Sequence, residues 1–183
     1  MKIGRTLLVL AVFGPALCFQ GAMPLAAQQG NGFLRAKANT GRAGVFVDGK
    51  YLGPAANFRM TRKYAVPAGE HEVKLADPRY AEYSTKVTII AGKTTVITQD
   101  LTPAPVMQPP YGMLRTEGGS DKFAAVFVDG MFMGHVGEFS NFEQRLLLNP
   151  GDYTVKIVSP ASGHEYEEKV TIEVNRTTTI KVK

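Results

Sequence analysis

The chain of 183 residues is 44% hydrophobic and 20% charged, which is typical of a folded protein and excludes an intrinsically disordered one. A single cysteine, Cys18, excludes a disulfide framework. The formal net charge is +5, but residues 33–101 hold 11 Lys and Arg against 6 Asp and Glu, whereas residues 112–183 hold 8 against 10. This asymmetry can attract the first half to an anionic polymer or membrane surface, or to the second half, and an ordinary solvated surface is the alternative.

Residues 1–27 have the pattern of a secretory signal peptide. Lys2 and Arg5 provide a positive start, Leu7–Phe13 is an apolar run, and Ala27 precedes the expected cleavage position. An uncleaved anchor is the alternative, because the segment after Arg5 is uncharged, although its Gly and Pro residues disfavour a spanning helix. We therefore expect an exported protein, periplasmic or at the cell surface or secreted, with no transmembrane helix in the mature chain.

One nonapeptide occurs twice. Val45–Gly53 has the sequence VFVDGKYLG, and Val126–Gly134 has VFVDGMFMG. Asp-Gly between β-prone runs predicts a hairpin, because its tight turn needs positive φ at two central residues. The segments that follow each hairpin repeat in the same order, so we predict an all-β protein with two small tandem domains of about six or seven strands each.

The first copy defines the predicted strands. They are Phe33–Ala38, the hairpin Val45–Leu52, Phe58–Val66, His71–Ala76, Ser84–Ile90 and Thr94–Leu101. Gly92 and Asn175 occupy equivalent turns, and because both residues tolerate left-handed backbone, the two turns should share one geometry. Residues 102–110 contain four prolines and predict a semi-rigid spacer of up to about 28 Å between two separately folded domains, 28–101 and 111–183.

The two copies resemble the PEGA domains, small β domains of bacterial and archaeal envelope proteins. The resemblance rests on Val-Phe-Val-Asp-Gly followed four residues later by Gly, and on the turn and strand at Gly69–Val73 and Gly151–Val155. The tetrapeptide that names the family is degraded to Thr40–Ala43 and Asp121–Ala124. The resemblance implies two degenerate PEGA repeats behind a signal peptide, a β-sandwich-like fold and envelope association, and it implies no reaction.

No arrangement of residues is typical of catalysis or metal binding. The histidines, His71, His135 and His164, lack metal-ligand spacing, and Asp48 and Asp129 are turn residues. We expect His71 to be a structural ring on a strand and His135 to lie in a loop. The sequence thus predicts no enzyme, no catalytic residue, no metal and no cofactor, and it lacks the basic and aromatic interleaving of nucleic-acid binders.

Aromatic pairs are the first candidate for ligand or partner contact. Phe46 should face Tyr51 across the first hairpin, and Phe127 should face Phe132 across the second. If the valine face of each hairpin is the core, these pairs lie outside, where the rings can stack on a sugar or a partner protein. Ordinary cross-strand stabilisation, or burial under a loop, is the alternative.

A basic cluster is the second candidate. Arg59, Arg62 and Lys63 lie in one predicted strand of the first copy, and the second copy does not keep the cluster. It suits an anionic envelope polymer, with a plain solvated face as the alternative. The overall prediction is a non-catalytic exported envelope module that binds a cell-wall polymer, a glycan or an envelope protein. The alternative is a structural spacer or assembly subunit that makes only protein–protein contacts.

Overall fold

The computed structural model describes residues 30–58, 62–141 and 144–182. These residues form fourteen β strands and little helix, which confirms the all-β fold class. The predicted signal peptide at residues 1–27 lies outside the described residues, and so does Arg59.

Seven strands build the first unit, residues 30–101. They are β1 (Asn31–Ala38), β2 (Gly44–Val47), β3 (Lys50–Pro54), β4 (Tyr64–Pro67), β5 (Gly69–Ala76), β6 (Tyr83–Ile89) and β7 (Thr94–Gln99). They form a three-stranded sheet in the order β4-β1-β7 and a four-stranded sheet in the order β3-β2-β5-β6. Neighbouring strands are antiparallel except β1 and β7, which are parallel.

The second unit, residues 111–182, repeats this arrangement. Its strands are β8 (Gly112–Gly118), β9 (Ala125–Val128), β10 (Met131–His135), β11 (Leu146–Leu148), β12 (Gly151–Val158), β13 (Glu165–Ile172) and β14 (Thr177–Val182). The sheet orders are β11-β8-β14 and β10-β9-β12-β13. A one-turn helix, α1 (Val136–Phe139), follows β10 where the first unit has a 3₁₀ turn, Ala55–Phe58.

Both predicted Asp-Gly hairpins are present. Asp48 and Gly49 have φ of 50° and 77°, and Asp129 and Gly130 have φ of 47° and 80°. Positive φ at both central residues is what a tight hairpin turn requires, and Asp tolerates it while Gly adopts it freely. The Asp side chain adds a second restraint, because Oδ1 of Asp48 accepts a hydrogen bond of 3.0 Å from the backbone N–H of Glu72.

The shared turn geometry is also confirmed. Gly92 has φ of 74° and Asn175 has φ of 56°, so both adopt the left-handed conformation. The two turns join β6 to β7 and β13 to β14, and thereby carry the chain from one sheet of a unit to the other.

Each unit has its own apolar core between its two sheets. In the first unit the fully buried side chains include Leu34, Val45, Phe58, Val73, Leu75 and Ile89. In the second they include Leu114, Val126, Val136, Val155, Ile172 and Ile180. The valine face of each hairpin therefore points into the core, as the alternation predicts.

The predicted strand Phe58–Val66 is wrong at Phe58, Arg62 and Lys63, which do not lie in a strand. Phe58 ends the 3₁₀ turn, and β4 contains only Tyr64–Pro67. The Phe58 ring is fully buried and packs on the ring of Tyr64, with 4.6 Å between centroids. Burial of this ring in the core, rather than strand propensity, explains why Phe58 belongs to the turn.

The two units pack against each other. They share a third buried cluster that contains Phe46 and Tyr51 from the first unit and Phe132 from the second. The start of the proline-rich segment also pairs with the first unit, since Ala104 N–H donates to Arg79 O at 2.8 Å. The boundaries at 28–101, 102–110 and 111–183 and the semi-rigid spacer stay predictions, and the structure adds that the two units pack against each other.

Candidate functional site

The four hairpin aromatic residues form one interface between the units. Phe132 lies against Phe46 with 5.5 Å between ring centroids and against Tyr51 with 5.8 Å, and Phe127 lies 6.1 Å from Phe46. Phe46, Tyr51 and Phe132 are only 3%, 7% and 6% exposed, and Phe127 is half-buried. The expectation that both pairs lie outside is therefore wrong, because each pair covers the other. We call these four residues the aromatic interface.

The aromatic interface is built from equivalent positions in the two units. Phe46 and Tyr51 correspond to Phe127 and Phe132 at an offset of 81 residues, so the packing resembles that of a two-fold symmetric dimer. Gly44 allows this close approach, because a Cβ atom there would lie 2.8 Å from Cζ of Phe132.

A polar network runs along one side of the aromatic interface. His135 is the last residue of β10 and is 3% exposed, so the prediction of a loop residue is wrong. Its Nε2 lies 2.7 Å from the hydroxyl of Tyr51 and its Nδ1 lies 2.7 Å from Oε1 of Glu138. The Tyr51 hydroxyl also lies 3.2 Å from Phe123 O, and Arg42 pairs with Glu138 at 3.4 Å.

This network holds polar groups that would otherwise be buried without partners. Burial raises the pKa of Tyr51 above its ordinary value, so its hydroxyl stays protonated and remains a donor. The carboxylate of Glu138 accepts from Nδ1 of His135, which orients the ring. The network therefore favours one relative placement of the two units.

A basic surface lies on the other side of the first unit. In β1, Leu34 and Ala36 are fully buried, so Phe33, Arg35 and Lys37 point to the opposite side of the sheet. The chain that enters β4 adds Lys63, whose Nζ lies 3.7 Å from the centroid of the Phe33 ring. We call Phe33, Arg35, Lys37 and Lys63 the basic face.

The basic face has no carboxylate on its strands. β1, β4 and β7 contain no Asp or Glu. Of the predicted basic cluster, Arg62 and Lys63 are exposed at the entry to β4, whereas Arg59 lies outside the described residues. A cation over an aromatic ring is held in place without losing its charge, which keeps Lys63 available for an anion.

The sequence prediction missed Arg35 and Lys37 as members of this face. Their alternation with buried residues indicates an outward direction, and this signal is present in the sequence. Their proximity to Lys63 depends on the antiparallel pairing of β1 with β4, which brings Leu34 opposite Tyr64. That pairing joins segments about 30 residues apart, and no local pattern reports it.

His71 is a structural residue at the first hairpin. Its Nδ1 lies 2.6 Å from Oδ2 of Asp48 and its Nε2 lies 2.9 Å from Pro67 O. The hydrogen bond with Asp48 raises the pKa of His71, and the same bond, with help from the Glu72 N–H, lowers the pKa of Asp48. The second hairpin has Tyr153 at this position, and its hydroxyl donates to Asn149 O.

In the described ranges, no three His, Cys, Asp or Glu side chains stand close enough together to hold a metal ion. Within the same ranges, no helix combines the length and apolar character needed to cross a membrane.

Comparison with known proteins supports the family resemblance for the first unit. Residues 32–105 match the family model described as PEGA domain. No curated protein matches the chain. A solved structure, "The Bacillus anthracis TIE protein", is 15% identical over 84% of this chain with a TM-score of 0.32, and the chain spans about a third (33%) of that protein's length.

Proposed function

We propose that this protein is a non-catalytic exported module of the cell envelope, and that its basic face binds an anionic envelope polymer. The PEGA match at residues 32–105 supports an extracellular or periplasmic module in general terms. The observation that carries the proposal is the basic face itself, where Arg35, Lys37 and Lys63 share one side of a sheet whose strands contain no carboxylate.

Charge placement favours binding over simple solvation. Most surface cations in a folded protein lie near carboxylates, which lowers the local positive potential. Among the described residues, no ion pair engages Arg35, Lys37, Arg62 or Lys63. The three cations of the basic face therefore add their potentials and attract a polyanion before contact.

The fold supports an extended ligand rather than a compact one. The basic face is the outward side of a three-stranded sheet, and Arg35 and Lys37 lie two residues apart along β1. Two residues of a strand span about 7 Å, so the cations form a row that a linear polymer with repeated negative charges can follow. Such a contact is mainly electrostatic and should weaken as salt rises.

Co-sedimentation tests this proposal. The purified chain is mixed separately with cell-wall sacculi and with phosphatidylglycerol vesicles, and the pelleted fraction is measured over a salt series. We expect saturable pelleting with at least one of these at low salt and progressive loss as the salt concentration passes about 0.15 M. A chain that stays in the supernatant with both, at every salt concentration, contradicts the proposal.

A structural spacer is the second candidate, and the aromatic interface is the observation that favours it. Buried rings and the His135 network hold the two units in one arrangement, as a spacer requires. A spacer needs no polymer, so it predicts no pelleting. It predicts instead that wild-type chain binds an envelope protein, and that the interaction fails when the aromatic interface is disrupted by Phe132→Ser.

A further inference from the structure

A cleft of about 620 Å³ lies at the junction of the two units. One wall is the turn of the first hairpin, with Lys50. The other is the outward side of β12 and β13, with Thr154, Lys156 and Glu167. Clefts of this volume between structural units are the usual location of small-ligand sites.

Phe127 lies in this cleft and breaks the near-symmetry of the aromatic interface. Its equivalent, Phe46, is 3% exposed, whereas Phe127 is half-buried. Phe127 packs on Phe132 at 5.8 Å on one side and lines the cleft on the other. The cleft therefore offers part of an aromatic surface that is already held rigidly by its neighbours.

The charged groups of the cleft balance each other. Lys50 and Lys156 provide two cations, and Glu165 and Glu167 provide two anions. Lys156 and Glu165 pair at 2.7 Å. A cleft with both donors and acceptors but no net charge suits a neutral ligand with many hydroxyl groups better than a polyanion.

The central strand of this wall, β12, has no free edge for a peptide strand, whereas β13 is the edge strand of its sheet. β12 is paired on one side with β9 and on the other with β13. Strand addition requires unpaired N–H and C=O groups at a sheet edge. Recognition at the β12 positions Thr154 and Lys156 must therefore use their side chains, which suits the hydroxyl groups of a sugar.

We propose that the cleft binds a short stretch of neutral glycan. The apolar side of one sugar ring packs on Phe127, and its hydroxyl groups exchange hydrogen bonds with Lys156, Glu165 and Thr154. This site is independent of the basic face, which lies on the other sheet of the first unit and takes an anionic ligand.

The first unit provides a matched control. Glu82 pairs with Lys74 at 3.5 Å, at positions equivalent to Glu165 and Lys156, but neither Glu82 nor Lys74 lines the cleft. The variants Glu165→Gln and Glu82→Gln therefore remove the same charge from the same local setting. Only Glu165→Gln should change binding.

The test is an NMR titration of the full chain with cellotetraose, chitotetraose and maltotetraose. We expect at least one to shift the amide signals of Lys50, Phe127 and Thr154 with a Kd of about 1 mM, typical of a small hydroxyl-rich ligand. Glu165→Gln should weaken this about fivefold, as loss of one hydrogen bond does, and Phe127→Leu should weaken it further. Glu82→Gln should leave the Kd unchanged.

Several results would overturn the proposal. One is the absence of shifts at the cleft with all three sugars at about 10 mM, ten times the expected Kd. Another is equal binding by Glu165→Gln and the wild type. If the amide spectrum shows that Phe127→Leu is unfolded, the comparison of Glu165→Gln with Glu82→Gln still decides the outcome. Arg35→Gln should not affect the sugar titration, because Arg35 lies on the basic face. A failure of glycan binding in the cleft is therefore distinguishable from a failure of polymer binding.

Discussion

The two units carry different surfaces on the same sheet order. The outward positions of β1 and of the chain entering β4 are Phe33, Arg35, Lys37 and Lys63, and their equivalents are Met113, Arg115, Glu117 and Arg145. A carboxylate replaces one cation, and the guanidinium of Arg145 donates to Thr177 Oγ1 at 3.0 Å. The comparison teaches that topology and turn geometry repeat, whereas the row of cations without a carboxylate on β1 is interrupted by Glu117 on β8.

The two hairpins differ in a second way. Each presents an aromatic pair, yet the first pair is almost fully buried, whereas Phe127 of the second pair is only half-buried. The first hairpin also carries a titratable partner, His71, where the second has Tyr153. Both hairpins thus help to hold the two units together. They differ in the side chain beside the turn, which is His71 in the first, and in whether an aromatic ring lines the cleft, which Phe127 does in the second.

Removal of Phe132 should have the largest effect. The ring is 6% exposed and contacts both aromatic residues of the first unit, so Phe132→Ser should lower the free energy of unfolding by about 3–5 kcal/mol. Urea unfolding measures this loss. Small-angle scattering should also show a larger radius of gyration, because the units no longer pack together.

Met131 is the matched control for that variant. It is adjacent in sequence but 64% exposed, so Met131→Ser should change the free energy of unfolding by less than about 0.5 kcal/mol. Equal effects of the two substitutions would show that the units do not meet through the aromatic interface.

Replacement of His135 should have an intermediate effect. His135→Leu leaves the Tyr51 hydroxyl and the Glu138 carboxylate without their shared partner, at a cost of about 1–3 kcal/mol in urea unfolding. His164→Leu is the control, because His164 is exposed. An unchanged unfolding midpoint for His135→Leu would contradict the role of the network between the units.

The smallest effect should be a pH dependence that only the first hairpin shows. The pKa of His71 is raised by Asp48, so its contribution to stability is fully present below its unfolded pKa of about 6.5 and is lost as the pH rises through its folded value. The pKa of Asp48 is lowered, so its contribution is lost as the pH falls through a value below about 3.8. The measurement is the unfolding midpoint of wild type against His71→Gln across this range.

In the wild type, the advantage over His71→Gln should therefore shrink as the solution becomes alkaline. Tyr153→Phe in the second hairpin provides the comparison, since it removes the hydroxyl that donates to Asn149 O at the equivalent position. A constant difference between wild type and His71→Gln at all pH values would show that the Asp48 contact does not form.

Local patterns predicted the parts of the fold that local physics decides. The Asp-Gly turns at Asp48 and Asp129 need positive φ, and the alternation in β1 reports which side chains enter the core. The burial of Phe46 was not predictable in this way, because the outward side of a sheet reads the same whether water or another unit covers it. His135 is a still longer-range case, since its partner Tyr51 is 84 residues away.

The candidate sites likewise contain some residues that local sequence predicts and others that only long-range pairing brings together. Lys63 was identified from its sequence neighbours, but Arg35 joins it only through the pairing of β1 with β4. The cleft depends on the placement of the first hairpin against β12 and β13, which no repeat or turn signal encodes. Sequence reasoning therefore recovered the repeated unit and missed the surfaces made between distant segments.

Binding of an anionic polymer by the basic face is tested most directly by co-sedimentation of matched charge variants. The variants are mixed with whichever of the two, sacculi or vesicles, pellets the wild-type chain. We expect Arg35→Gln, Lys37→Gln and Lys63→Gln together to weaken low-salt binding at least about tenfold, because each cation near an anionic surface contributes about 1 kcal/mol. Lys122→Gln, Lys169→Gln and Lys181→Gln together remove the same charge from the second unit and should weaken binding far less. Equal losses from the two triple variants would contradict a binding site on the basic face.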